Sequence, residues 1–122
     1  MWQKIKVVTE NRSIHEKNGI NDITDGEHYK SLCRPGGFLY NNYNLTLTFN
    51  TDGAALYKSS REEIWPMYLL VNEIKASERF LNKNVILWGV WQGRGKPPTM
   101  SFLEPFVLEL KEIATLGKII LA

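Results

Sequence analysis

Asp52 closes the segment Leu45-Thr46-Leu47-Thr48-Phe49-Asn50-Thr51-Asp52-Gly53. This alternating, β-branched and aromatic run reads as a strand that ends on a carboxylate. A strand holds its side chains more firmly than a loop, so an acid at its end is placed to ligate a metal ion. The competing reading is a simple one: Asp-Gly is a strong hairpin signal, and Thr51-Asp52-Gly53 then only turns the chain. Downstream, Lys58-Ser59-Ser60 offers a point charge and hydroxyls to a phosphate, or else forms a solvated turn. Gly89-Val90-Trp91-Gln92-Gly93-Arg94-Gly95-Lys96-Pro97 invites a phosphate-loop reading and fails it. Val90 stands where the first glycine is needed, and Pro97 stands where Ser or Thr should hold magnesium. What remains is a glycine-rich connection that could face DNA through Arg94 and Lys96. His15 and His28 make no metal pair, and no Ser-His-Asp or Cys-His arrangement is readable.

The elements that must position these residues follow from periodicity and punctuation. Residues 1–18 carry one short apolar patch, Ile5, Val7 and Val8, compatible with a helix, a strand or an arm. Asp25 is expected to cap a short helix over Glu27 to Leu32, which Arg34-Pro35-Gly36-Gly37 then breaks. After the strand from Leu45 to Thr51, a second is expected over Ala54 to Lys58. A third is expected over Ile64 to Ile74, where Tyr68, Leu70 and Ile74 alternate with Asn72 and Glu73. Trp65-Pro66 reads as a packing anchor, and Trp88 and Trp91 as packing residues rather than base-stacking platforms. Ala76 to Phe80 suggests a helical turn. Val85 to Trp91 is almost wholly apolar and reads as a buried strand.

The strongest helix signal runs from Ser101 to Leu116. Leu103, Phe106, Val107, Leu110, Ile113 and Ala114 repeat there at helical spacing. Either a Ser101/Glu104 capping box starts it, or Glu104 does, with Pro105 in the first helical position. Gly117 is its expected stop, and Ile119-Ile120-Leu121 would open another strand.

A chain of 122 residues can bury one modest core. A net charge of +2 announces no strong basic field, which argues against an autonomous DNA-binding module. The single cysteine, Cys33, allows neither an intrachain disulfide nor a cysteine-rich zinc motif. No apolar run approaches membrane-span length, and Met1 to Val8 lacks the features of a signal peptide. The expectation is an intracellular protein with no membrane association, in which the sequons at Asn11 and Asn44 mean little.

Several segments stand in a telling order. They are Asp22-Ile23-Thr24-Asp25-Gly26 with Tyr29-Lys30, then Leu47 to Gly53, Lys58-Ser59-Ser60 and Ile64-Trp65-Pro66. Asn84-Val85-Ile86-Leu87, Gly89, Trp91, Lys96-Pro97 and Phe102-Leu103-Glu104-Pro105-Phe106 follow. No single piece is specific, but the ordered set resembles the start of the catalytic domain of CACTA-type (En/Spm-like) transposases. The resemblance implies an α/β (α+β) fold of truncated RNase H-like type, with three to four mostly antiparallel strands followed by a packing helix. It implies a leader over residues 1–43 and the first part of the domain over residues 44–122. It makes Asp52 the first acid of a site for Mg2+ (or Mn2+), and DNA the partner. Lys58, Ser59, Arg94 and Lys96 become nucleic-acid contacts, and the location becomes nuclear. The second and third acids of that site, and the cysteine-containing segment that follows in the family, are missing from this sequence. The expectation is therefore no catalysis by this chain alone. The alternative is a non-catalytic interaction or DNA-binding domain that self-associates through an exposed sheet edge. A third reading is a translated remnant without a stable fold.

Overall fold

The computed structural model describes residues 19–58 and 61–116. The expectations for residues 1–18, Ser59, Ser60, Gly117 and residues 119–121 lie outside them. The described chain is an α+β fold. It contains helix α1 (Glu27–Cys33), strands β1 (Leu47–Thr51), β2 (Ala54–Ala55) and β3 (Glu62–Val71), and helix α2 (Ala76–Arg79). Strand β4 (Val85–Arg94) and helix α3 (Thr99–Thr115) complete it. β1, β2 and β4 all pair with β3, and the antiparallel sheet is followed by a helix that packs on it. The chain divides into two compact units. One comprises Met1–Asn50 with Met67–Trp88, the other Thr51–Pro66 with Gly89–Ala122.

In the second unit, Ala54 faces Ile64 and Ala55 faces Glu63 across the antiparallel pair. The Leu56 N–H donates to the Glu62 carbonyl at 3.1 Å, which identifies the even positions as the hydrogen-bonded ones. The same register puts Asp52 opposite Pro66. Proline has no N–H to give the Asp52 carbonyl, so the ladder lapses at that point. This is why the run separates into β1 and β2 at Asp52-Gly53. The Thr51 hydroxyl donates to the Pro66 carbonyl instead, at 2.9 Å.

The neighbouring residue, Trp65, lies across Gly53. A Cβ at position 53 would overlap the indole, so only glycine lets the ring lie this close to the backbone. The indole is pinned further: its Nε1–H donates to Glu63 Oε2 at 2.9 Å. Its face meets Phe102 of α3 edge-on, with centroids 6.5 Å apart at 77°. Trp65 is thus the packing anchor between hairpin and helix.

Helix α3 departs from expectation at its start. It begins at Thr99, with Pro98 as its N-cap and no side-chain cap, so neither the Ser101/Glu104 box nor a start at Glu104 occurs. The Pro97-Pro98 pair holds an extended backbone up to the first helical residue. Pro105 sits inside the helix and cannot bond the Ser101 carbonyl. Ser101 is exposed, so water can donate to that carbonyl in place of the missing N–H. Phe102 and Phe106, one turn apart, are the buried residues of the helix, whereas Val107 of the expected stripe is exposed.

In the first unit, Val71 and Ile74 form an apolar cluster against which Leu45 packs. Leu39 is fully buried as well. The N-terminal capping differs from expectation. Asp22, not Asp25, is the cap, and it caps a short 3-10 turn (Ile23–Asp25) through a reciprocal capping box with Asp25. The N-cap of α1 is Gly26, without a side-chain bond. Arg34 to Gly37 ends α1 as its composition requires. β2 is shorter than the expected strand over Ala54 to Lys58. β4 is longer than expected and is not buried: Ile86, Leu87 and Val90 are all exposed. Among the described strands it pairs only with β3, so its apolar character reflects a place at the sheet margin rather than in the core.

The fit of Gly53 under Trp65 gives a direct test. Gly53→Ala should destabilise the chain by about 1–3 kcal/mol through overpacking, read as a lowered midpoint in urea unfolding. The same substitution in a Trp65→Leu background should cost much less.

Candidate functional site

The residues singled out for chemistry lie in the second unit. Asp52 is exposed in the gap between β1 and β2. Strand alternation sets it, with Ala54, Ile64 and Pro66, on the face opposite Trp65, and so opposite the helix. Lys58 is exposed in the connection from β2 to β3. Arg94 is exposed at the end of β4, with its Nε 3.9 Å from Glu62 Oε1. Lys96 follows Gly95, whose φ of +69° turns the chain away from the strand. The Gly95 N–H donates to the Arg61 carbonyl at 3.1 Å. This bond gathers Arg61, Arg94 and Lys96 near the start of β3.

Asp52 is not part of that basic group. It lies four residues back along the strand from the row of Leu56 and Glu62, about 13 Å at ordinary strand rise. Glu63 is committed to the Trp65 indole, and Glu62 accepts from Gln92 and faces Arg94. Among the described residues, no group of three or more His, Cys, Asp or Glu converges to hold a metal ion. Asp52 is a lone surface carboxylate here.

The ordered polar chemistry is in the first unit, and the sequence reading missed it. Glu73 has 0 % exposure. Its Oε1 accepts from the Tyr29 hydroxyl at 2.9 Å and from the Thr46 hydroxyl at 2.9 Å. The Thr46 backbone N–H is shared between its two oxygens at 3.1 and 3.0 Å. The Thr46 hydroxyl in turn accepts from Asn72 Nδ2 at 3.0 Å, and Asn72 Oδ1 accepts from the Thr48 hydroxyl at 2.7 Å. Every bond in this relay donates toward Glu73. A carboxylate, which only accepts, can terminate it.

Beside the relay sits a partly buried ion pair. Arg79, 6 % exposed, donates from Nη1 and Nη2 to the two oxygens of Asp22 at 2.8 and 2.6 Å. It also donates to the backbone carbonyls of Ile74, at 3.1 Å, and Asn72, at 2.7 Å. The planar fork of a guanidinium suits this use, since it binds the carboxylate bidentately and still has donors for carbonyls. The hydrogen bonds from Arg79 hold the Asp22 carboxyl below its usual 3.8. Burial opposes them, and the Ile23 N–H and the Arg79 charge add to the lowering.

By alternation alone, Asn72 and Glu73 read as the polar positions of the strand expected over Ile64 to Ile74. The signal that could have corrected this is the run Leu69-Leu70-Val71-Asn72-Glu73-Ile74, where two polar residues interrupt apolar ones. The first unit also has a charge-free cleft of about 570 Å³ on the sheet, lined by Thr48, Asn50, Tyr68, Leu70, Leu87 and the largely exposed Phe80.

No family model, no curated protein and no solved structure matches this chain.

Two measurements test the polar network. Glu73→Gln removes the charge and replaces one of the two accepting oxygens with a donor. It should cost about 1–3 kcal/mol of unfolding free energy, against little change for the exposed Glu104→Gln. Asp22 has a lowered folded value, so the stability it contributes is complete above its ordinary 3.8 and is lost as pH falls through the lower folded value. Unfolding followed from pH 7 into acid should show this loss, and Asp22→Asn should remove that part of the slope.

Proposed function

We propose that this chain is an opening portion of the catalytic domain of a CACTA-type transposase. On this reading Asp52 is the first carboxylate of an RNase H-like site, and DNA is the partner. The observation that carries the proposal is the position of Asp52 at the end of β1, ahead of antiparallel β3 and β4 and then helix α3. That is the element order the ordered motifs imply. Lys58, Ser59, Arg94 and Lys96 are the proposed phosphate contacts, and the proposed location is nuclear.

Transposition by this fold uses Mg2+ or Mn2+, and magnesium takes near-octahedral oxygen coordination. The residues described here do not fit that requirement, because one surface carboxylate stands at the position and its cross-strand neighbour is a proline. No step of phosphoryl transfer is therefore assigned to this chain alone. The proposal is one of descent and of contribution to a larger site.

A second reading, a non-catalytic module that associates through its sheet edge, is favoured by one observation. β4 exposes Ile86, Leu87 and Val90, and no charged residue occurs between Val85 and Gly93. Edge strands that stay single usually carry such a charge.

A manganese titration of the isotope-labelled chain separates the readings. Paramagnetic broadening of amides centred on Asp52, absent in Asp52→Asn, is expected from a retained first ligand. Undisturbed amides around Asp52, together with concentration-dependent broadening along β4, would favour the associating module.

A further inference from the structure

Residues 21–40 are held by very little apolar surface. Among the described residues of that stretch, only Tyr29 and Leu39 are buried, while Ile20 just before it and Ile23 within it are exposed. Two buried side chains, with Leu32 and Phe38 half-buried, offset only part of the cost of ordering some twenty residues. Yet the segment is well built locally. The capping box closes the 3-10 turn at Asp22. The Gly37 N–H returns to the Arg34 carbonyl at 2.8 Å, and Gly37 lies so close to the Leu32 carbonyl that a Cβ would overlap it. The Asn44 side chain donates to the Phe38 carbonyl at 2.6 Å.

The contacts that tie this segment to the strands are polar and reach far along the sequence. Asp22 pairs with Arg79, and Tyr29 donates to Glu73. Both inner partners are buried; without the segment Arg79 loses the Asp22 carboxylate, and Glu73 keeps Thr46 but loses the Tyr29 hydroxyl. Undocking would leave a guanidinium without its counter-ion and a carboxylate without one of its donors. Partial opening is therefore disfavoured, since an uncompensated buried charge costs far more than a surface one.

We propose that residues 21–40 act as a polar-latched strap, fastened at Asp22–Arg79 and Tyr29–Glu73. The strap and the β3–α2 region it covers open and close as one cooperative unit. Arg79 is the fulcrum. It holds the strap through Asp22 and shapes the chain after β3 through the Asn72 and Ile74 carbonyls, so release at one end loosens the other. Glu73 links the second latch to β1, because Thr46 donates to the same carboxylate. A partner that grips the strap would thereby act on the start of β1. The groups facing the latches are Arg79 and Asp25 around Asp22, and Tyr29 and Thr46 around Glu73.

Native-state amide hydrogen exchange on the full chain tests this. Residues 21–39 and 67–84 should share one opening rate. Asp22→Asn should speed exchange in both segments by the same factor, on the order of a hundredfold. Tyr29→Phe, which removes one hydrogen bond and no charge, should speed both by about tenfold. If Asp22→Asn leaves no protected state, Tyr29→Phe carries the test by the same criterion. A strap that exchanges fast in the unaltered chain while 67–84 stays protected would overturn the proposal. So would a substitution that speeds exchange in the strap alone.

Discussion

A guanidinium held away from water must place its donors, and the placement of those on Arg79 organises the first unit. Two go to Asp22, far back in the sequence. Others go to the Asn72 and Ile74 carbonyls, which fixes the chain as it leaves β3. Such a pair contributes modest net stability when formed, because desolvation offsets most of the attraction, but its loss is severe. Its main effect is specificity: one arrangement of strap, strand end and α2 satisfies every donor, and near misses leave a buried charge unpaired. Glu73 imposes the same discipline on β1 by terminating a relay that begins at Thr48.

The second unit is organised differently. It depends on shape, with an indole laid over a glycine and braced by Phe102, and a proline that interrupts a ladder at the residue of greatest chemical interest. Asp52 is exposed at the point where Pro66 opposite it offers no hydrogen bond to continue the sheet. A carboxylate at a lapse in a strand keeps its oxygens available to solvent, to a metal or to a partner. The buried carboxylate, Glu73, is fully committed to protein donors. The two acids illustrate opposite uses of the same group, and only the exposed one is placed to act on something outside the chain.

Much of this architecture was legible in the residues. The strand ending at Asp52, the return strand with Trp65-Pro66, the third strand and the long amphipathic helix follow from alternation, helical spacing and glycine-proline punctuation. What was not legible depends on partners distant in sequence. Asp22 and Asp25 are both acceptable caps by type, and only the position of Arg79 shows why Asp22 faces inward. Glu73 looks like the exposed side of a strand until Tyr29 and Thr46 converge on it. The apolar run in β4 suggested burial because hydrophobicity marks a preference, whereas burial depends on what lies alongside. The start of α3 was misread because Pro105 favours a first-turn position in isolation, yet the Pro97-Pro98 pair had already set the boundary upstream. Of the candidate site, the strand that leads to Asp52 was legible in the sequence. The separation of Asp52 from the basic residues along the sheet was not legible, because it depends on register.

A partly buried ion pair, Asp22–Arg79, joins residues 21–40 to the chain that follows β3. A double-mutant cycle at Asp22 and Arg79, using Asp22→Ala, Arg79→Ala and the double variant in urea unfolding, measures it most directly. A coupling energy of about 2 kcal/mol or more is expected, with the double variant little worse than either single one. Additive effects, with a coupling below about 0.5 kcal/mol as at ordinary surface pairs, would contradict it.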